Sequence, residues 1–198
     1  LLREWAGVST GQNLFQVPLG EVRERLEKNP IIRRAVVRRR LPGVLEIEVS
    51  ERVAIARIGQ VEGHMNWLVD DEGVLIRKSL HDKHLPFLLG VPPNVTLGDT
   101  IAGGRGWDAL RYLKVLRDLP AVKRDLFEVQ VISVGHPDYL DVRLASGFRI
   151  LLPRDRDHQQ VLEMATFHVD RELRLPEAQR RNEFDLTPRG NHVIGVRR

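Results

Sequence analysis

Apolar residues recur at helical spacing in three stretches of the sequence. Leu19, Val22 and Leu26 form the stripe of a helix over about residues 18–28, with Glu21 and Arg25, and Glu24 and Lys28, as i,i+4 pairs on its solvent side. Pro18 suits the first turn of that helix and Asn29-Pro30 stops it. Trp107, Leu110, Leu113 and Leu116 mark a second helix. Val161, Leu162, Ala165, Val169 and Leu173 mark a third over about residues 155–173, which Asp155 or Asp157 can cap. Residues 1–6 read as the end of another helix, closed by Gly7.

Elsewhere the apolar period is two. The stretch from Ile31 to Arg39 is rich in β-branched residues, Leu41-Pro42-Gly43 is a turn, and Leu45, Ile47 and Val49 then alternate with Glu46, Glu48 and Ser50. This predicts a half-buried antiparallel hairpin under the preceding helices. Its inward register is expected to continue to Val53 and Ile55, interrupted at Glu51 by a bulge or by a Glu paired with an arginine. Patterning lapses from Gly59 to Gly63, which places a boundary between domains of residues 1–58 and 59–198. Past it come a strand pair over residues 67–78 turning at Asp71-Glu72-Gly73, an apolar run from Leu85 to Gly90, and a loop-rich stretch to Gly106. Further strands are expected over residues 126–134, 139–144, 148–152, 183–187 and 192–197, the last two joined through Pro188-Arg189-Gly190. No internal repeat is visible. The fold class is α+β: two helices on a small sheet, followed by an antiparallel β domain with two helices.

Composition narrows the chemistry. A chain of 198 residues builds a packed core without staples, and the absence of cysteine removes disulfides, thiol nucleophiles, thiolate zinc sites and iron–sulfur clusters together. Lys and Arg number 31 against 27 Asp and Glu, a net charge of +4 spread among acidic residues, so nucleic acid is not demanded. No apolar run approaches the roughly 20 residues of a spanning helix. The start Leu1-Leu2-Arg3-Glu4-Trp5 reads as mid-element, so the chain is expected to be an excised piece.

The candidate sites are few. His81 and His84 form a spaced pair with no third ligand nearby in sequence, which favours a solvated loop over a metal site. Gly103-Gly104-Arg105-Gly106 lacks the strand and the Lys-Ser/Thr of a phosphate loop. Ser9, Ser50, Ser79, Ser133 and Ser146 lie outside any nucleophile elbow. Asp70-Asp71-Glu72 beside Gly73 reads as a turn. No catalytic residue, cofactor, metal or small-molecule substrate is expected. Arg33, Arg34, Arg38, Arg39 and Arg40 are the densest basic cluster; Arg38, Arg39 and Arg40 are a candidate phosphate-facing surface, with pairing to Glu46, Glu48 or Glu51 across the hairpin as the simpler reading. The terminal strand from His192 to Arg197 is either internal or an edge, and an edge invites another chain to pair with it.

Asn13-Leu14-Phe15 before a helix, Asn29-Pro30-Ile31-Ile32-Arg33-Arg34-Ala35-Val36-Val37-Arg38-Arg39, Leu41-Pro42-Gly43-Val44-Leu45-Glu46-Ile47 and Glu48-Val49-Ser50-Glu51-Arg52 together resemble the POTRA domain of the bacterial cell-division family FtsQ/DivIB. Trp67-Leu68-Val69-Asp70-Asp71-Glu72-Gly73-Val74-Leu75 and Leu85-Pro86-Phe87-Leu88-Leu89-Gly90 resemble the start of that family's C-terminal β domain. The resemblance implies a non-enzymatic divisome scaffold on the periplasmic face of the inner membrane, concentrated at the septum and tethered by one spanning helix upstream of Leu1, where the first POTRA strand would also lie. It implies partners of the FtsB and FtsL type, met partly by strand addition at the terminal edge. His192, Val193, Ile194 and Val196, with Phe184 and Leu186 on the preceding strand, become the candidate contact zone. Two other readings stay open: a POTRA module of an outer-membrane assembly or secretion system, and a binder of nucleic acid or anionic membrane through the arginine cluster.

Overall fold

The computed structural model describes residues 2–59, 65–91 and 94–188, and the backbone of 194–196. The chain divides into two units, Leu1–Val53 and Ala54–Arg198, a division five residues before the one expected at Ile58.

In the first unit, helix α1 (Leu2–Ala6) ends at Gly7, whose φ of +64° reverses the chain in a conformation that costs glycine little. Helix α2 (Leu19–Glu27) follows, with Val22 and Leu26 fully buried along its expected stripe. Arg25 on α2 donates to the carbonyl of Ala6 at 2.8 Å and so holds the end of α1. Strands β1 (Ile32–Arg40) and β2 (Val44–Glu51) form the expected antiparallel hairpin. Ala6, Val17, Val22, Leu26, Ile32 and Ala35 make the core, against which Val37, Leu45, Ile47 and Val49 pack half-buried. The irregularity expected at Glu51 is present, with the extra residue on the opposite strand. Ile32 pairs with Glu51 and Arg34 with Ser50, leaving Arg33 as the bulge.

The second unit is built on a sheet of β3 (Ala54–Gly59), β4 (Asn66–Asp70), β5 (Leu75–Ser79), β6 (Phe87–Leu89), β7 (Val129–Ser133), β8 (Tyr139–Leu144), β9 (Arg149–Pro153), β10 (Glu183–Asp185) and β11 (Ile194–Val196). Their order across the sheet is β11-β10-β9-β8-β7-β6-β3-β4-β5 among the described residues. Hairpin neighbours are antiparallel, whereas β3 with β6, β6 with β7, and β9 with β10 are parallel. The sheet is therefore mixed, because long crossovers join those pairs. Helices α3 (Trp107–Asp118) and α4 (Ala121–Leu126) lie between β6 and β7, and α5 (His158–Leu173) between β9 and β10. The α+β architecture is as the sequence predicts. Leu110, Leu113, Val161, Leu162, Ala165 and Val169 from α3 and α5 share one core with Ile58, Ile132, Leu140, Val142, Ile150 and Leu152 from the sheet.

Three local expectations are corrected. Val53 is 69 % exposed, whereas Ile55 packs half-buried against the core as expected; a register irregularity between Ala54 and Ala56 then turns Ala56 and Ile58 inward. The ladder of the first hairpin ends at Glu51, and β3 takes its register afresh from β4 and β6. Leu126 ends α4 rather than opening a strand. Helix α5 begins at His158, where the Asp157 carboxylate accepts from the Gln160 amide at 2.7 Å. The acidic turn reads as expected: Asp70 accepts from the amides of Glu72 and Val74, and Gly73 sits at φ +81° with the Ala102 nitrogen 3.2 Å from where a Cβ would be.

Candidate functional site

The terminal edge of the large sheet is built from β9 outward. β10 runs parallel to β9, with Phe184 beside Ile150 and Asp185 beside Leu151. β11 runs antiparallel to β10, pairing Ile194 with Asp185, Gly195 with Phe184 and Val196 with Glu183. β11 ends the sheet, so one side of its backbone meets no described strand. Of the six residues expected at the contact zone, Ile194 and Val196 lie on β11, and His192 and Val193 lie outside the described residues. Phe184 and Leu186 are brought to the same edge with side chains turned into the core, 3 % and 1 % exposed. The Phe184 ring stacks on Phe148 at 5.9 Å and meets His168 at 5.7 Å. These two residues therefore root the terminal hairpin from beneath. Gly195 falls opposite the bulky Phe184, which gives the strand-interior glycine a register position.

On the other face of the sheet Arg149 lies between two acids. Its guanidinium donates to both oxygens of Asp141, at 3.0 and 2.9 Å, and to Glu183 at 3.5 Å. These bonds, Asp141 first, hold its proton still more firmly than usual. A shallow cleft of about 530 Å³ beside them is lined by Arg143, Phe148, Arg149, Asn182 and Glu183.

Sequence reading missed the loop between β9 and α5, Arg154-Asp155-Arg156-Asp157. Arg154 donates to the carbonyls of Arg105 (2.8 Å), Val134 (2.8 Å) and His136 (3.2 Å) and pairs with Asp108 at 2.9 Å. Arg156 reaches the other way, to the carbonyls of Leu186, Thr187 and Pro188. The available signal was two arginines alternating with two acids at a strand-to-helix junction, where a solvated loop needs no such density of charge.

The arginine cluster is divided by the hairpin. Arg39 lies on the inward face and donates to the carbonyls of Leu14 (2.9 Å), Phe15 (3.4 Å) and Val17 (2.6 Å), tying down the connection into α2. Arg38 and Arg40 lie on the outward face, across from Glu46 and Val44. The structure thus does not bring Arg38, Arg39 and Arg40 onto one surface. His81 and His84 are exposed in the loop after β5, and no group of three metal-ligating side chains occurs among the described residues. Gly106 precedes α3 and Arg105 donates to the carbonyl of Gly135.

One titratable group is buried at the loop. His158 is 8 % exposed, its ring meets Tyr112 edge-on at 4.2 Å, and its Nε2 has no hydrogen-bond partner among the described residues. Burial, then Arg111, pushes its pKa below the usual 6.5, against the pull of Asp108 and Asp157; burial lowers His168 likewise. The folded state therefore binds fewer protons than the unfolded chain. Stability is complete above pH 6.5 and falls as pH drops from there towards the depressed folded value. Thermal unfolding between pH 7.5 and 5 is expected to show this loss, reduced in His158→Gln. An identical pH profile in that variant contradicts the assignment. Asp82 and Asp99, whose pKa values are lowered from 3.8, act in a separate window, losing their contribution only as pH falls below that value.

The first unit, two helices on an antiparallel hairpin, matches the family described as POTRA domain, FtsQ-type, over residues 2–52, which makes this a POTRA-bearing protein. The second unit matches Cell division protein FtsQ/DivIB, C-terminal, over residues 56–185, so the match ends with β10. The chain belongs to the FtsQ/DivIB family of cell division proteins. It is 32 % identical to Cell division protein DivIB of Clostridium acetobutylicum over 191 residues, 94 % of this chain and 72 % of that protein. It is 21 % identical to DivIB of Clostridium tetani over 193 residues, 96 % and 71 % of the two chains. To Cell division protein FtsQ of Rickettsia felis it is 35 % identical over 101 residues, half of this chain and 37 % of that protein. The chain thus spans little more than a third of the length of the Rickettsia relative. No helix among the described residues is long and apolar enough to cross a membrane.

Proposed function

We propose that the chain is the extracytoplasmic part of a membrane-tethered, non-enzymatic divisome scaffold that takes a strand of an FtsB- or FtsL-type partner on β11. The observation that carries this reading is the position of β11 at the end of the sheet, with one row of backbone N–H and C=O groups unpaired among the described residues. Strand addition uses such groups for affinity, about 0.5–1.5 kcal/mol per ladder bond, while alternate side chains set the choice of partner. Family membership supports a role in cell division; septal, periplasmic placement and the FtsB/FtsL partners belong to this proposal. The domain boundary is taken in function at the end of the first hairpin, since residues 54–59 form β3 in the sheet of the second unit.

The test is a pull-down with the extracytoplasmic segments of the FtsB and FtsL homologues from the same genome, using a proline scan of Ile194, Gly195 and Val196. In a strand, alternate N–H groups point to opposite sides, so proline at 194 and 196 removes donors on one side and proline at 195 on the other. One of these sets is expected to abolish capture with little change in melting temperature. Capture that survives both sets sinks strand addition.

A further inference from the structure

The chain leaves β10 through Leu186, Thr187 and Pro188, and the Arg156 guanidinium donates to the carbonyl of each, at 3.4 Å for Leu186 and 3.1 Å for Thr187. A local lock lies just before them, where the Asp185 carboxylate accepts from the amide of Thr187 at 2.9 Å and from its hydroxyl at 2.6 Å. Arg156 is itself anchored on both sides. Arg154, two residues earlier, is fastened to the loop before α3 and to the segment after β7, and Asp157, one residue later, caps α5. The exit of β10 is therefore tied to the centre of the second unit through one planar fork of donors.

Such a tie matters because β10 is three residues long and pairs with β11 over three residues among those described. Strands this short have few ladder bonds and fall at the low end of local stability, where opening precedes global unfolding. Three carbonyls in succession suit a guanidinium, with five donors in fixed geometry, and exceed what a lysine ammonium reaches from one position.

We propose that Arg156 is a positioning residue for the sheet edge: by gripping the exit of β10 it keeps β10 and β11 ordered, so that β11 is ready to accept a partner strand. The inference rests on the strand-addition reading. A partner that binds only the ordered edge has its apparent affinity scaled by the fraction of chains in which that edge is formed.

Hydrogen–deuterium exchange on the whole chain, as wild type, Arg156→Lys and Arg156→Ala, reads the edge without any partner. Exchange in residues 183–187 and 194–196 is expected to accelerate about tenfold in Arg156→Ala and less in Arg156→Lys. Residues 139–153 and 158–173 should keep their protection, which a general loss of stability would not allow. Titration with the same FtsB-type segment is expected to show apparent affinity falling in proportion to the fraction of chains in which the edge stays formed, about twofold where the edge is open half of the time. Unchanged exchange at the edge in Arg156→Ala overturns the proposal, and so does an affinity that fails to follow the formed fraction obtained from that exchange. A wild-type chain that binds no segment, yet shows the exchange difference against Arg156→Ala, overturns the strand-addition reading and with it the purpose assigned to the grip.

Discussion

Phe184→Ala is expected to lower the stability of the second unit by about 3–5 kcal/mol, and Phe184→Leu by about 1–1.5 kcal/mol. The ring is 3 % exposed, stacked on Phe148 and in contact with His168 of α5, and it sits on a three-residue strand whose neighbours are β9 and β11. Truncation removes buried apolar area and leaves a cavity between the sheet and α5. It also removes the main apolar anchor by which β10 holds its place. Urea unfolding of the whole chain checks the prediction: the midpoint should fall sharply for Ala and recover most of the way for Leu. An unchanged midpoint in Phe184→Ala would show that the ring is not a core element. The distinction bears on function, because Phe184 is also a natural candidate for partner contact. If Phe184→Leu, with the edge intact, captures partner segments as well as the wild type, Phe184 acts by supporting the edge; reduced capture at near wild-type stability assigns it a direct contact.

The hairpin of the first unit was legible in the sequence because local signals agree. Pro18 and Asn29-Pro30 bound α2, and Leu45, Ile47 and Val49 alternate with polar residues along β2. The turn at Gly73, the cap at Asp157 and the strand over residues 139–144 were legible for the same reason. Parity was not legible where the chain changes sheets, since period two says which residues share a face without saying which face is covered. Continuing the odd register of the first hairpin therefore places Val53 inward, where it is exposed, and the resemblance that nominates Phe184 and Leu186 as contacts does not show that both side chains are buried. Parallel pairing was hidden too, because it depends on where a crossover returns. The basic cluster misled in a different way: consecutive arginines on a strand cannot share a face, and Arg39 turns inward to carbonyls that no sequence pattern identifies. The roles of Arg154 and Arg156 are long-range in the same sense, linking residues 18 to 49 positions apart.

Arg154→Ala is expected to cost about 2–3 kcal/mol. The side chain is only 10 % exposed and is the common partner of the carbonyls of Arg105, Val134 and His136 and the carboxylate of Asp108. Alanine leaves the part-buried Val134 carbonyl without this donor and the Asp108 carboxylate without its cation, while the exposed carbonyls of Arg105 and His136 turn to water. Arg154→Lys restores a charge beside Asp108 but not the fork that reaches three separate carbonyls, and is expected to recover only about half of the loss. Asp108→Asn separates the terms, since it removes the ion pair and leaves the carbonyl contacts, at an expected cost of about 1–2 kcal/mol. Thermal unfolding should place the melting temperature of Arg154→Ala roughly 10 °C below wild type. Because Arg154 also anchors the loop from which Arg156 extends, the alanine variant should lose edge protection together with that of α3 and β7, whereas Arg156→Ala loses the edge alone. An edge that keeps its protection in Arg154→Ala would mean that the loop does not transmit order from the centre of the sheet to its terminal strand.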